Sequence, residues 1–121
     1  MLRSKDIQNE LAIQGTRIAV WDYDLKNNIV HINKRWAEII GYTLEELEPV
    51  RIETWENLVA EEDLKITSQL IKDHFEAKTE YYDSKFRMRH KNGYYVWVHS
   101  RGKVFEWDAQ GKPVRMAGTH L

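Results

Sequence analysis

The segment from Phe86 to Trp107, FRMRHKNGYYVWVHSRGKVFEW, leaves the chain few options. It reads as two long strands joined at Asn92-Gly93. Asn-Gly between alternating apolar residues is a strong hairpin signal, because both central residues of a type I′ turn need positive φ. On the first strand Tyr82, Ser84, Phe86 and Met88 share one face, and Lys85, Arg87 and Arg89 the other. On the second, Val96, Val98 and Val104 oppose Tyr95, Trp97, His99 and Arg101. An isolated hairpin is marginal in water, so the rest of the chain is expected to cover its two faces.

The preceding residues supply that cover. Residues 1–15 carry Ile7 and Leu11 four apart among charges and predict a thin amphipathic helix stopped by Gly15. Ala19, Trp21, Tyr23 and Leu25 alternate with Ile18, Val20, Asp22 and Asp24, a strand apolar on both faces at its start and hence interior to a sheet. Lys26-Asn27-Asn28 is a turn, and Ile29–Asn33 a short second strand. Asn33 can cap a helix bearing Trp36 and Ile40 that Gly41 ends. Thr43 and Glu46 have capping-box spacing. Ile52–Val59 is a short turn or helix with Trp55 and Leu58. Glu61-Glu62-Asp63 opens the longest helix, about 61–77, where acids complement the dipole. Its stripe is Leu64, Thr67, Ile71 and Phe75, flanked by Leu70 and His74. Strands at 80–89, 95–107 and 113–121 follow. The order is β-β-α-α-α-β-β-β. Strands at both ends with helices between them predict an α+β fold, an antiparallel sheet with helices on one face.

Composition removes several functions. A chain of 121 residues is sized for one domain. With 42% hydrophobic and 31% charged residues it is globular rather than disordered. It has no cysteine, which excludes disulfides, thiolate zinc sites, iron–sulfur clusters and cysteine nucleophiles. No run approaches the ~18 apolar residues of a membrane helix, and no signal-peptide core is present. A cytoplasmic location is expected, any membrane anchor of a parent protein lying outside this segment. The five histidines lack metal-ligand spacing, and no hydrolase, zinc-protease or phosphate-loop motif is present, so the segment reads as non-enzymatic. The basic run Lys85, Arg87, Arg89, His90 and Lys91 sits among Glu80, Asp83 and Glu106 in a chain of net charge −1, and reads as a solvated face rather than a nucleic-acid surface.

Trp21-Asp22-Tyr23-Asp24, Asn33, Ile40-Gly41-Tyr42 and Leu44-Glu45-Glu46-Leu47 together resemble the front half of a PAS domain. Phe86-Arg87-Met88, Lys91-Asn92-Gly93, Val96-Trp97-Val98, Gly111 and Gly118-Thr119 resemble the PAC half. The resemblance covers residues 16–121, with 1–15 as a flanking helix, and is strongest to PAS domains of bacterial sensor histidine kinases and GGDEF diguanylate cyclases. It departs at Ala60-Glu61-Glu62-Asp63, where many relatives have His-Pro-Asp-Asp.

The resemblance implies a five-stranded antiparallel sheet with helices around a small-molecule pocket, and an excised module that relays to a downstream effector. The expected pocket residues are Trp36, Ile40, Trp55, Leu58, Ile71, Phe86, Met88, Val96, Val98 and Met116, with Ser84 and His31 as polar candidates. The competing expectation is that these side chains simply fill the core. On the outer face, Arg87 with Tyr95 and Trp97 suggests a cation–π group covered by the N-terminal helix, through Ile7 and Leu11, or by a second subunit in a homodimer. Lack of cysteine excludes a cysteine-linked flavin or chromophore. Haem is disfavoured because His74 lies late on the long helix, and a non-covalent flavin stays compatible. The function expected is a sensory signal-transduction module in a bacterial protein. The alternative is a ligand-free module for dimerisation and strain transmission.

Overall fold

The alternating segments pair into one five-stranded antiparallel sheet of order β2-β1-β5-β4-β3. The computed structural model describes residues 17–121. The strands are β1 (Ala19–Asp24), β2 (Ile29–Ile32), β3 (Tyr82–Arg89), β4 (Tyr95–Trp107) and β5 (Pro113–His120). Between β2 and β3 run α1 (Lys34–Ile39), α2 (Leu44–Leu47), α3 (Ile52–Leu58) and α4 (Glu61–Phe75), packed on one face. The expected flanking helix, with Ile7 and Leu11, lies outside the described residues.

Local chemistry places each helix. Asn33 Oδ1 accepts from Trp36 N–H at 3.2 Å, capping α1, and from Val20 N–H at 3.1 Å, while its amide donates to Ile18 O. One side chain thus ties the helix start to β1. Thr43 and Glu46 close a reciprocal capping box on α2. Asp63 does more than favour a helix dipole. Its carboxylate accepts from the Arg87 backbone N–H at 2.8 Å and from the Arg87 guanidinium at 2.9 Å. It therefore satisfies a donor on β3, an edge strand whose N–H groups would otherwise be exposed.

The turn after β3 differs from the expected type I′. Gly93 has φ +96°, but Asn92 does not have positive φ. Gly93 N–H bonds His90 O at 2.8 Å, and His90 N–H bonds Tyr94 O at 2.7 Å. This is a three-residue loop with glycine in the left-handed position. The loop is anchored from outside the hairpin, by Lys91 N–H to Ile40 O at 2.9 Å.

The strand faces follow the alternation expected from sequence. In register across the inner face lie Trp21, Gly118, Gly102 and Tyr82. The Trp21 indole lies over the two glycines. A Cβ on Gly118 would meet Arg101 O at 2.0 Å and Trp21 Cζ2 at 2.5 Å, and one on Gly102 would meet Trp21 Cη2 at 2.5 Å. The indole N–H donates to Thr119 O at 3.3 Å. Glycine is required here because no side chain fits between ring and sheet. Gly118→Ala is expected to cost at least the ~3 kcal/mol at the top of the overpacking range. Gly111→Ala, where φ is +79° and nothing lies within 4 Å, should cost only about 1–2 kcal/mol of backbone strain. Urea denaturation of both variants checks this; equal costs would contradict the close approach of Trp21.

A candidate ligand cavity over the inner sheet face

The Trp21 ring fills the hollow left by the glycine pair, and it also borders open space. A partly enclosed cavity of about 220 Å³ lies between sheet and helices. Trp21, Tyr23, Val30, Tyr82, Ser100, Met116 and His120 come from the strands. Trp36 comes from α1; Ile52, Trp55 and Glu56 from α3; Ser68, Ile71 and Phe75 from α4.

Its polar floor, Ser100 and His120, is part of one row of the sheet. Ser84, Ser100 and His120 are register partners across β3, β4 and β5, one row along from Trp21 and the glycines. All three are buried. His120 is 4% exposed, stacked on Trp36 (centroids 5.2 Å, interplanar 24°) and met edge-on by Phe86 at 5.8 Å and Trp21 at 6.5 Å. Burial alone pushes its pKa down to about 3, so the imidazole is neutral. No hydrogen bond to its ring was found among the described residues. Beside the row, Tyr82 and Thr67 hydroxyls bond each other. Burial raises the Tyr82 phenol pKa, and the Thr67, Ser84 and Ser100 hydroxyls oppose that rise. Ser84 influences the phenol, yet its Oγ makes no bond of normal geometry; it and Trp36 Nε1 are the buried side-chain atoms left without partners among the described residues. An unmet buried polar group costs about 1–3 kcal/mol.

Four of the ten expected pocket residues, Trp36, Trp55, Ile71 and Met116, line this cavity. The other six do not. Ile40, Phe86, Met88 and Val98 are at most 1% exposed and Leu58 is buried, all close-packed in the core. Val96 is half-buried against that core. The reason lies along the sheet: Phe86, Met88, Val96 and Val98 sit toward the β3–β4 turn, while the cavity lies over the opposite end of that hairpin. Of the polar candidates, His31 is exposed on edge strand β2, and Ser84 lies in the floor row. Sequence reasoning missed Trp21, Tyr23, Tyr82, Ser100 and His120. Strand parity could have found His120, which shares a face with Met116.

His74 is an internal strut rather than a flanking residue. Its Nε2 accepts from Val104 N–H at 3.0 Å, which leaves Nδ1–H to donate to Thr79 O at 3.1 Å. Both nitrogens are committed, so this residue does not fit a haem ligand. A volume near 220 Å³ is also below the ~300–1,000 Å³ usual for larger ligands, a poor fit to haem or flavin. No cluster of three metal-ligating side chains occurs among the described residues.

On the outer face, Arg87 stands 5.6 Å from the Trp97 ring centroid and 5.9 Å from that of Tyr95. Trp97 is 67% exposed and Tyr95 51%. Within the basic run, Arg87 pairs with Asp63 and Glu62, and Lys91 with Glu46. These cations are held by carboxylates of the domain itself. No described helix is long and apolar enough to cross a membrane.

Residues 29–120 match the PAS_3 family, described as PAS fold. Among solved structures, the chain is similar to a sensory box histidine kinase/response regulator from Burkholderia thailandensis E264, with 27% identity, a TM-score of 0.78, and coverage of 94% of this chain and 82% of that one. It is also similar to a PAS domain from Colwellia psychrerythraea (22% identity, TM-score 0.70, 95% and 93% covered). A third similar structure is the N-terminal domain of a diguanylate cyclase with PAS/PAC sensor from Marinobacter aquaeolei (17% identity, TM-score 0.71, 86% and 93% covered). Comparison with curated proteins returned no significant match. With most of its length inside the family match, this chain belongs to the PAS family of sensory domains, and its fold is theirs.

Burial of His120 carries a pH dependence. Its pKa is about 3 folded and 6.5 unprotected, so between those values the unfolded chain binds a proton that the folded chain does not. Its contribution to stability is full above pH 6.5 and declines by about 1.4 kcal/mol per pH unit below it. The carboxylates held low by partners, Asp63 by Arg87 among them, add their own losses only around pH 4 and below. Denaturation between pH 6.5 and about 4.5 should show the slope, and His120→Phe should flatten it. An equal slope in the variant would place His120 in water.

Proposed function

We propose that this PAS domain is the sensory module of a multidomain bacterial signalling protein. A small molecule enters the cavity, and the change in helix–sheet packing passes to a downstream effector, a histidine kinase or a diguanylate cyclase. The observation that carries this reading is the cavity itself, whose floor is built partly from β5. Met116 and His120 face it from the strand that lies between β1 and β4 at the middle of the sheet. A ligand preferring one packing of these side chains would shift the population toward it. In this reading residues 16–121 form the PAS unit, residues 1–15 flank it, and the domain works in the cytoplasm.

The test is native mass spectrometry of the purified domain, with thermal denaturation against a metabolite panel. A co-purifying molecule, or stabilisation by several degrees at saturating ligand, is expected. No bound species and no shift would favour the alternative, a ligand-free module for dimerisation and strain transmission.

The outer face supports a homodimer in either reading. Tyr95, Trp97 and Phe105, the last 56% exposed, are large apolar side chains in water, and such patches mark contact surfaces. Trp97→Ala is expected to weaken self-association in sedimentation equilibrium by at least tenfold, a typical loss for an interface tryptophan. Ligand-induced stabilisation should be unchanged. Loss of the ligand response with association intact would reverse the two faces.

A further inference from the structure

The lining of the cavity also restricts what can occupy it. We infer that its ligand is a small uncharged aromatic molecule bearing one amide-like group, its ring among Trp21, Trp36 and Trp55 and its polar group at Ser100 and His120. The inference rests on the reading of the cavity as a ligand site.

Shape comes first. Rings from three tryptophans and Phe75 meet around a space of about 220 Å³, which suits one ring with a short substituent. Flat apolar molecules gain most in such a slot, through offset or edge contacts with the surrounding rings.

Charge comes second. Among the described lining residues no lysine or arginine occurs, and Glu56 is the one carboxylate. An anion would be desolvated there with no counter-charge and with Glu56 repelling it. A cation would find Glu56 and aromatic faces, but Glu56 is half-exposed on α3, where water screens its charge.

Polarity comes third. The two floor groups that line the cavity each donate and accept: a hydroxyl has both capacities, and a neutral imidazole has one of each. His120 is buried, and no hydrogen bond to its ring was found among the described residues. A primary amide, with its carbonyl and N–H, complements such a pair. A bare hydrocarbon offers the His120 ring no partner, and a charged group exchanges full hydration for two neutral partners.

Three probes of nearly one shape separate these terms: benzamide (neutral), benzoate (anionic) and benzamidinium (cationic). Each is titrated into the 15N-labelled chain at pH 7.5, following the indole N–H signals of Trp21, Trp36 and Trp55 and the amides of Ser100 and His120. Benzamide should move these signals and bind at least tenfold more tightly than either charged probe. Ser100→Ala should weaken it several-fold while leaving the rest of the spectrum in place. Tightest binding by benzoate would overturn the charge argument. Tightest binding by benzamidinium, lost in Glu56→Gln, would assign the cavity to organic cations instead. If no probe moves these signals, the ligand class is wrong. A panel metabolite that still stabilises the domain would then leave the sensory reading standing, and failure of both would remove it as well.

Discussion

The Trp21 indole pressed onto Gly102 and Gly118 is the contact on which the rest of this structure depends. It joins the inner surfaces of β1, β5 and β4, three strands brought together from opposite ends of the chain. Two glycines in adjacent strands weaken a sheet on their own, since they add flexibility and no packing surface. A large ring laid over them restores the buried area. It also fixes what surrounds it. The ring edges onto His120 at one side, and the space above it becomes the cavity rather than core.

The two faces of the sheet are then held in different ways. Inside, burial and ring packing dominate, and the polar groups of the cavity floor are neutral. Outside, charge dominates. Asp63 with Arg87, and Asp22 with Arg115, set guanidinium groups over Trp97, Tyr95 and Phe105. Arg87 matters twice, because the carboxylate that orders it also closes the edge of β3 and opens α4. The hairpin β3–β4 is thus a wall with an apolar side and a charged, aromatic side, which is the arrangement a module needs if an internal event is to be felt by a partner outside.

Much of this was legible in the residues. Period-2 alternation placed Phe86, Met88 and Val98 inside and Tyr95 and Trp97 outside, because each local choice agreed with the global fold. Asn33 and the Thr43–Glu46 pair were readable because caps act within four residues. What escaped was non-local. Asp63 looked like a helix-start acid, and nothing near it in sequence reveals Arg87, which is 24 positions away. The Asn92-Gly93 turn took another form because its loop bonds to Ile40, far away in the chain. The cavity is the hardest case. Apolar periodicity says which residues face inward, and Ile40 and Trp36 do so equally; only the packed structure separates Ile40, locked in core, from Trp36, which borders open space. Gly118 belongs to a motif readable in the sequence, but its reason is a ring 97 residues earlier in the chain.

The most direct test of this account is proton NMR of the two glycines. If Trp21 lies on them, nuclear Overhauser contacts should join its Hζ2 and Hη2 to an α-proton of both Gly102 and Gly118. The paired α-proton shifts of each glycine should be widely separated by the ring current and collapse toward each other in Trp21→Leu. Glycine α-protons near random-coil shifts, with no contact to the indole, would contradict the packing from which the floor of the cavity is derived.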